Sequence, residues 1–109
     1  MPYFGGDEQL FRELLTEFVG HFDSEVAKLR ASQQIGDAKT FARQAHSLKG
    51  IAATFGADAV LSSAQQLEAL GFDENLSAAG PWLEALEAES PRLHDYLSRL
   101  LSPGKLPPA

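Results

Sequence analysis

The chain has 109 residues, of which 44% are hydrophobic and 22% charged, a net charge of −6 and no cysteine. This length and composition predict one folded domain, and the missing cysteine excludes disulfides, zinc–thiolate sites and thiol nucleophiles. The acidic charge argues against binding nucleic acid, whose phosphates require a broad basic surface. Because neither a long apolar run nor a signal peptide is evident, we predict a cytoplasmic protein without direct membrane contact and with protein partners.

Apolar residues recur at helical spacing through most of the chain, and no alternating pattern of β-branched residues predicts a strand. Asp7 is suited to cap a first helix over residues 7–20, which Gly20 interrupts. The apolar pattern then resumes in a second helix over residues 22–35, before Gly36. We expect the first helix to pack across one end of a bundle formed by the others.

Asp37 is the predicted N-cap of a third helix, which runs without proline as far as Gly56. The connection at Gly56 is very short, so the third helix and a fourth, ended by Gly71, should form an antiparallel hairpin. Leucines at helical spacing predict a last helix over residues 81–101. Pro91 should kink this helix or restart it.

The predicted fold is therefore all-α, an antiparallel four-helix bundle with an extra N-terminal helix packing on one end. Residues 7–101 form the domain in this prediction, residues 1–6 a leader and residues 102–109 a disordered tail or linker. We predict a monomer, because one apolar seam on each helix is enough to close a bundle.

The third predicted helix has a distinctive polar face around His46. At about 100° per residue, the apolar residues lie opposite His46 and predict that the histidine faces solvent. These core-facing residues are Phe41, Ala45, Leu48, Ile51, Ala52 and Phe55. Three cations and three of the smallest side chains share the face of His46: Lys39, Ala42, Arg43, Lys49, Gly50 and Ala53. Gln44 falls on the core side, where its amide needs partners.

Gly50 lies one turn beyond His46 on the same side, although a glycine inside a helix costs about 1 kcal/mol relative to alanine. A bare backbone there would let another protein and a phosphoryl group approach the imidazole closely. The charge of Lys49, three residues after His46, disfavours the imidazolium, and its ammonium can hydrogen-bond phosphoryl oxygens. This face is therefore predicted to hold phosphate.

The segment HSLKGIAATFG, which starts at His46, resembles the HxLKG motif of histidine-containing phosphotransfer (HPt) domains, with a further glycine ten residues after the histidine. The resemblance extends over most of the chain. It implies that His46 is the phosphorylated residue and that Lys49 and Gly50 support it, while Arg43 belongs to the same basic face. Because some members place a glutamine of the next helix near the phosphoryl group, Gln65 and Glu68 are both candidates for that contact.

The resemblance also implies a phosphorelay role in two-component signal transduction. His46 would accept and donate a phosphoryl group, and the partners would be response-regulator receiver domains, which supply the aspartate, the Mg²⁺ ion and an acidic pocket. The sequence agrees, because it has no Gly-rich phosphate loop and no evident magnesium-binding carboxylate cluster. We therefore predict a carrier without nucleotide binding, cofactor or metal of its own, whose basic patch complements an acidic receiver.

Several alternatives stay open at this stage. The chain could be free-standing or the C-terminal module of a hybrid sensor histidine kinase, and the phosphoacceptor domain of chemotaxis kinases shares the motif. The dimerisation region of sensor kinases typically has an acidic residue just after its histidine, where Ser47 stands here. A purely structural adaptor bundle would leave Gly50 unexplained. His21 and His94 lack a comparable setting and are predicted to have surface or packing roles.

Overall fold

The computed structural model describes residues 8–101, and this part of the chain contains four α-helices, one short 3₁₀ turn and no strand. The helices are α1 (Glu8–Ile35), α2 (Ala38–Phe55), α3 (Asp58–Phe72) and α4 (Gly80–Leu101). The most extensive pairing is between α2 and α3, while α1 packs against α2 and α4. The predicted all-α four-helix bundle is confirmed. The predicted leader, the Asp7 cap and the predicted tail lie outside the described residues.

The N-terminal third of the domain is one helix of 28 residues, so the prediction of a separate N-terminal helix ending at Gly20 is wrong. Gly20 is exposed and lies within α1. A helical glycine costs about 1 kcal/mol, whereas apolar side chains are buried on both sides of it, Phe18 before and Phe22 after. Because burying one such side chain contributes about 1.5–3 kcal/mol, packing outweighs the cost of the glycine.

The turns on either side of α2 form as the sequence predicts. Gly36 and Gly56 adopt left-handed backbone conformations, with φ of 75° and 67°, which glycine adopts without steric cost. The side chain of Asp37 accepts a hydrogen bond from the backbone N–H of Thr40 at 3.1 Å and caps α2. The N–H of Gly56 bonds carbonyls in the last turn of α2, and α3 begins two residues later. These local signals fix both ends of the helix that carries His46.

Two further helix signals of the sequence concern Gly71 and Pro91. The predicted end of α3 at Gly71 is one residue early: the helix ends at Phe72, and Gly71 is buried against α2 in its last turn. The helix α4 runs through Pro91 without restarting. Leu86 is fully buried before the proline and Leu93 packs on the core after it, so the same apolar seam continues on both sides.

The core is built from large side chains of all four helices, and Phe18 and Phe55 stack at a centroid distance of 5.4 Å. The largest fully buried side chains are Phe22, Leu29, Phe41, Leu48, Leu67, Leu83 and Leu86. The predicted apolar stripe of α2 is buried except Ile51, which is exposed, and Phe55, which is partly buried. Ile51 lies at the edge of the stripe on the side opposite Ala42, where no helix covers it fully. Among residues 8–101, no helix has the length and apolar character needed to cross a membrane.

Candidate functional site

His46 lies at the centre of α2, and 68% of its side chain is exposed. The buried residues on either side of it in sequence, Ala45 and Leu48, point into the bundle. The same helical periodicity that buries them turns His46 outward. The prediction that this histidine faces solvent is confirmed.

The exposed imidazole is held by a carboxylate from the neighbouring helix. Nδ1 of His46 lies 2.7 Å from Oε2 of Glu68 on α3, and only 11% of the Glu68 side chain is exposed. Gln65, one turn earlier on α3, is exposed. Of the two candidates from the sequence, the structure therefore brings Glu68 to His46.

The second carboxylate oxygen of Glu68 binds Lys49. Nζ of Lys49 lies 2.6 Å from Oε1 of Glu68, so each oxygen of the carboxylate has one partner from α2. The sequence placed Lys49 beside the imidazole; in the structure its ammonium is directed to the carboxylate that also holds the imidazole. His46, Lys49 and Glu68 thus form one connected network across the α2–α3 interface, here called the His–Glu–Lys network.

The pKa of Glu68 lies below its ordinary value of 4.5, chiefly because Lys49 donates a hydrogen bond to the carboxylate. Burial acts in the opposite direction, and the hydrogen bond from His46 adds to the lowering. An ionised carboxylate is only an acceptor, so the proton in the bond to Glu68 belongs to Nδ1 of His46. A neutral imidazole with its proton on Nδ1 has its lone pair on Nε2.

Gly50, one turn beyond His46, is exposed, and a Cβ built on it would meet no atom within 4 Å. The backbone beside His46 is therefore uncovered, as predicted. Ala42, which the sequence placed on the same exposed face, is buried instead. The prediction for Ala42 is wrong because α3 approaches α2 closely at Gly71 and covers this methyl group.

A groove of about 870 Å³ runs along the α2–α3 seam from His46 toward the α1–α2 turn. Its lining includes the cations of Lys39 and Arg43 and the exposed ring of Phe72, as well as the carboxylates of Asp37 and Glu74. Phe72 is 71% exposed. His46 therefore lies in a groove that also presents charged side chains and an exposed aromatic ring.

The cations of this groove differ from the other cations of the described chain. Within residues 8–101, five lysines and arginines form ion pairs with carboxylates; Lys39, Arg43 and Arg12 form none within 4 Å. Lys39 and Arg43 act on Asp37 only from a distance, since the lowered pKa of Asp37 comes mainly from its hydrogen bonds with Thr40. Lys39 and Arg43, two cations beside His46, therefore form no ion pair with a carboxylate of the described chain.

Other polar residues singled out in the sequence have simple settings. The Gln44 amide oxygen accepts a hydrogen bond from the hydroxyl of Ser32 on α1 at 2.9 Å, which supplies the partner that its core-side position requires. His94 is half exposed, with Nε2 3.8 Å from Oδ2 of Asp23, and His21 is exposed on α1. Neither belongs to the His–Glu–Lys network.

The Hpt domain family model matches residues 13–102, which include the whole His–Glu–Lys network. The chain therefore belongs to the Hpt domain family. Its role is histidine phosphotransfer in two-component signalling, where Hpt domains act as carriers rather than classical enzymes and interact with receiver domains. Comparisons with curated proteins and with solved structures give no match.

The sequence leaves both Gln65 and Glu68 as candidates, although one signal favours Glu68. Glu68 follows the buried Leu67 and shares a helix face with the buried Ala64 and Gly71. A carboxylate on a buried face is rarely without a partner. This position therefore predicts that Glu68 pairs with a group on the facing helix, which the structure identifies as His46 together with Lys49.

Proposed function

We propose that the protein carries a phosphoryl group on Nε2 of His46, accepted from and donated to aspartates of response-regulator receiver domains. The observation that carries this proposal is the 2.7 Å hydrogen bond between Nδ1 of His46 and Glu68. Because it engages Nδ1, this bond leaves the Nε2 lone pair available on an imidazole that is largely exposed.

In the proposed transfer, the Nε2 lone pair forms a bond to phosphorus while the bond between phosphorus and the aspartyl oxygen breaks, leaving a free carboxylate on the receiver. The imidazole ring gains positive charge as the N–P bond forms. The Glu68 carboxylate accepts the Nδ1 proton in a hydrogen bond and stabilises this charge without removing the proton. Return of the phosphoryl group reverses the same bonds.

Positioning and charge neutralisation dominate phosphoryl transfer, and much of both must come from the partner. In the proposal, the receiver contributes the aspartate and a Mg²⁺ ion, while this chain holds no cofactor and binds no nucleotide. Lys49 is the cation of the His–Glu–Lys network, and its charge is already opposed by Glu68. The protein is therefore a carrier whose reaction needs a second domain.

The surface around His46 supports docking of such a domain. A typical protein partner covers about 800 Å² on each side of an interface, so any domain that reaches Nε2 also covers neighbouring surface. The groove with Lys39, Arg43 and Phe72 adjoins the histidine on one side, and the uncovered backbone of Gly50 lies on another. Because Lys39 and Arg43 form no ion pair, they favour a partner with an acidic surface.

The proposal places the carrier in the cytoplasm as a monomer. It applies equally to a free-standing carrier and to a module of a longer hybrid sensor kinase, because the network and the groove lie within one bundle. In both settings the phosphoryl group travels between receiver aspartates and the same nitrogen.

Intact-mass spectrometry after incubation with phosphoramidate tests this proposal, with a phosphorylated receiver and Mg²⁺ as the second donor. We expect one acid-labile phosphoryl group on the wild type and none on His46→Gln. His94→Gln is the matched control, since His94 is also an exposed helix histidine near a carboxylate, and it should be modified like the wild type. An unmodified wild type, or equal modification of His46→Gln, would contradict the proposal.

A further inference from the structure

Two small residues, Ala42 on α2 and Gly71 on α3, lie in close contact. A Cβ placed on Gly71 would lie 2.8 Å from Cβ of Ala42, 2.9 Å from its Cα and 3.0 Å from its backbone nitrogen. Two of these three atoms belong to the backbone of α2, which cannot rotate away as a side chain can. Any residue larger than glycine at position 71 must therefore push the two helices apart locally.

This contact is adjacent to the His–Glu–Lys network on both helices. Ala42 lies four residues before His46 on α2, and Gly71 lies three residues after Glu68 on α3. Residues three or four apart are neighbours on one helix face. Because α2 and α3 are antiparallel, the Ala42–Gly71 contact and the His46–Glu68 hydrogen bond are successive contacts along the same interface.

We propose that the close approach of α2 and α3 at Ala42 and Gly71 holds the Glu68 carboxylate within hydrogen-bond distance of Nδ1 of His46. Gly71 is then a positioning residue for the phosphoacceptor. It touches no reacting atom and acts through Glu68. Only the rate of phosphorylation rests on the proposed function. The position of the Glu68 carboxylate relative to the His46 imidazole can be tested without it.

The distances explain why a small displacement matters. Ordinary contacts of a Cβ atom fall at 3.4–4 Å, against the 2.8 Å that a Cβ at Gly71 would have. Relieving this overlap moves α3 away from α2 next to a hydrogen bond of 2.7 Å. Since N–H···O bonds lie at about 2.7–3.2 Å, a displacement of this size takes the His46–Glu68 pair to or beyond the limit.

Glycine at position 71 is otherwise difficult to explain. It lies in the last turn of α3, one residue before Phe72, and its φ is not in the left-handed region that favours glycine. Conformational freedom is therefore not what position 71 requires. The requirement that the structure shows is space, and that space lies one turn from the carboxylate that binds the histidine.

The test compares Gly71→Ala with the wild type by ¹⁵N NMR of the His46 imidazole across a pH series, which reports the population of the Nδ1–H tautomer. We expect Gly71→Ala to remain helical by circular dichroism, to lose part of its Nδ1–H population and to take up phosphoryl groups from phosphoramidate about tenfold more slowly. Ala42→Val enlarges the same contact from α2 and should shift the tautomers in the same direction. It replaces Gly71→Ala if that variant does not fold.

Gly20→Ala is the matched control, because it adds the same methyl group to a helical glycine with no atom within 4 Å, and it should leave the His46 spectrum unchanged. A folded Gly71→Ala or Ala42→Val protein with wild-type tautomer populations overturns the inference. If the wild type is not modified by phosphoramidate, the proposed function fails, but the NMR comparison still decides whether Gly71 positions Glu68.

Discussion

The ammonium of Lys49 binds Oε1 of Glu68 at 2.6 Å, while the other oxygen of the same carboxylate binds the imidazole of His46. The lysine therefore acts on the histidine through a shared anion. Removing a partner of a buried carboxylate leaves its charge uncompensated. The three side chains should consequently respond to mutation as a unit, and their effects should not be additive.

The stability of the fold should depend on pH through Glu68. Its pKa is lowered in the folded protein, so its contribution is present above the ordinary carboxyl pKa and is lost as the pH falls through the folded value. The difference in free energy of unfolding between the wild type and Glu68→Gln should therefore be larger at pH 7 than at about pH 3. Urea unfolding at both pH values measures it, with Glu17→Gln, exposed on α1, as the control. A difference that does not change with pH would contradict the role of the carboxylate charge.

Replacing Glu68 should slow phosphorylation of His46, moderately in Glu68→Gln and more strongly in Glu68→Leu. The amide oxygen in Glu68→Gln can still accept the Nδ1 proton but carries no charge, so loading from phosphoramidate should slow about tenfold. Glu68→Leu removes the acceptor and leaves Lys49 without its carboxylate, and loading should slow further. Intact-mass time courses measure both rates, and circular dichroism confirms the fold. Equal rates for the three proteins would show that Glu68 does not assist the nucleophile.

Charge reversal of Arg43 should weaken transfer from a protein donor more than loading from a small one. Arg43 lines the groove beside His46 and has no ion pair within 4 Å among the described residues. Arg43→Glu should lower kcat/KM for a phosphorylated receiver by about tenfold at low salt, with a smaller effect at high salt, because screening reduces charge attraction. Arg12→Glu, another unpaired cation but on α1 and outside the groove, is the control. An equal loss in both variants would point to net charge rather than a docking surface.

The exposed ring of Phe72 should contribute to partner affinity and little to folding. We expect Phe72→Ser to raise KM for the receiver several-fold with kcat unchanged, while the free energy of unfolding changes by no more than about 0.5 kcal/mol. Ile35→Ser is a close control, because Ile35 is similarly exposed (77%) but does not line the groove. Steady-state transfer kinetics and urea unfolding measure the two effects. A changed kcat with unchanged KM would remove Phe72 from the docking surface.

Gly20→Ala should stabilise the protein. Gly20 lies inside α1 with open space around it, so alanine gains the helical preference without a clash. The free energy of unfolding should rise by about 0.5–1 kcal/mol, and the Tm by several degrees. Thermal and urea unfolding measure the change. A loss of stability would indicate that α1 requires glycine at this position.

Features of the fold that depend on local residues follow from the sequence, whereas those that depend on packing between helices do not. Asp37, Gly36 and Gly56 were predicted correctly because capping and left-handed turns depend on the residue and its immediate neighbours. Gly20, a predicted helix break, lies inside α1, and Gly71, the predicted end of a helix, lies one residue before the end of α3. The contact that leaves no room for a side chain at position 71 is with Ala42 on α2. The periodicity of α3 alone cannot predict a contact with another helix.

The candidate site shows the same division. The exposure of His46 and Gly50 followed from the periodicity of α2 alone, because a helix with one buried face must turn the opposite face outward. The choice between Gln65 and Glu68 depended on how α2 and α3 are aligned against each other. That alignment is set by packing between the helices, so the sequence supplied two candidates and the structure identified Glu68.

The exposure of His46 also bears on how long a phosphoryl group would last. Because 68% of the His46 side chain is exposed, a phosphoryl group on Nε2 would be accessible to bulk water as well as to a receiver. Hydrolysis of the phosphohistidine would then compete with transfer to a receiver. The concentration of free receivers, rather than shielding by the bundle, would decide how much of the signal arrives.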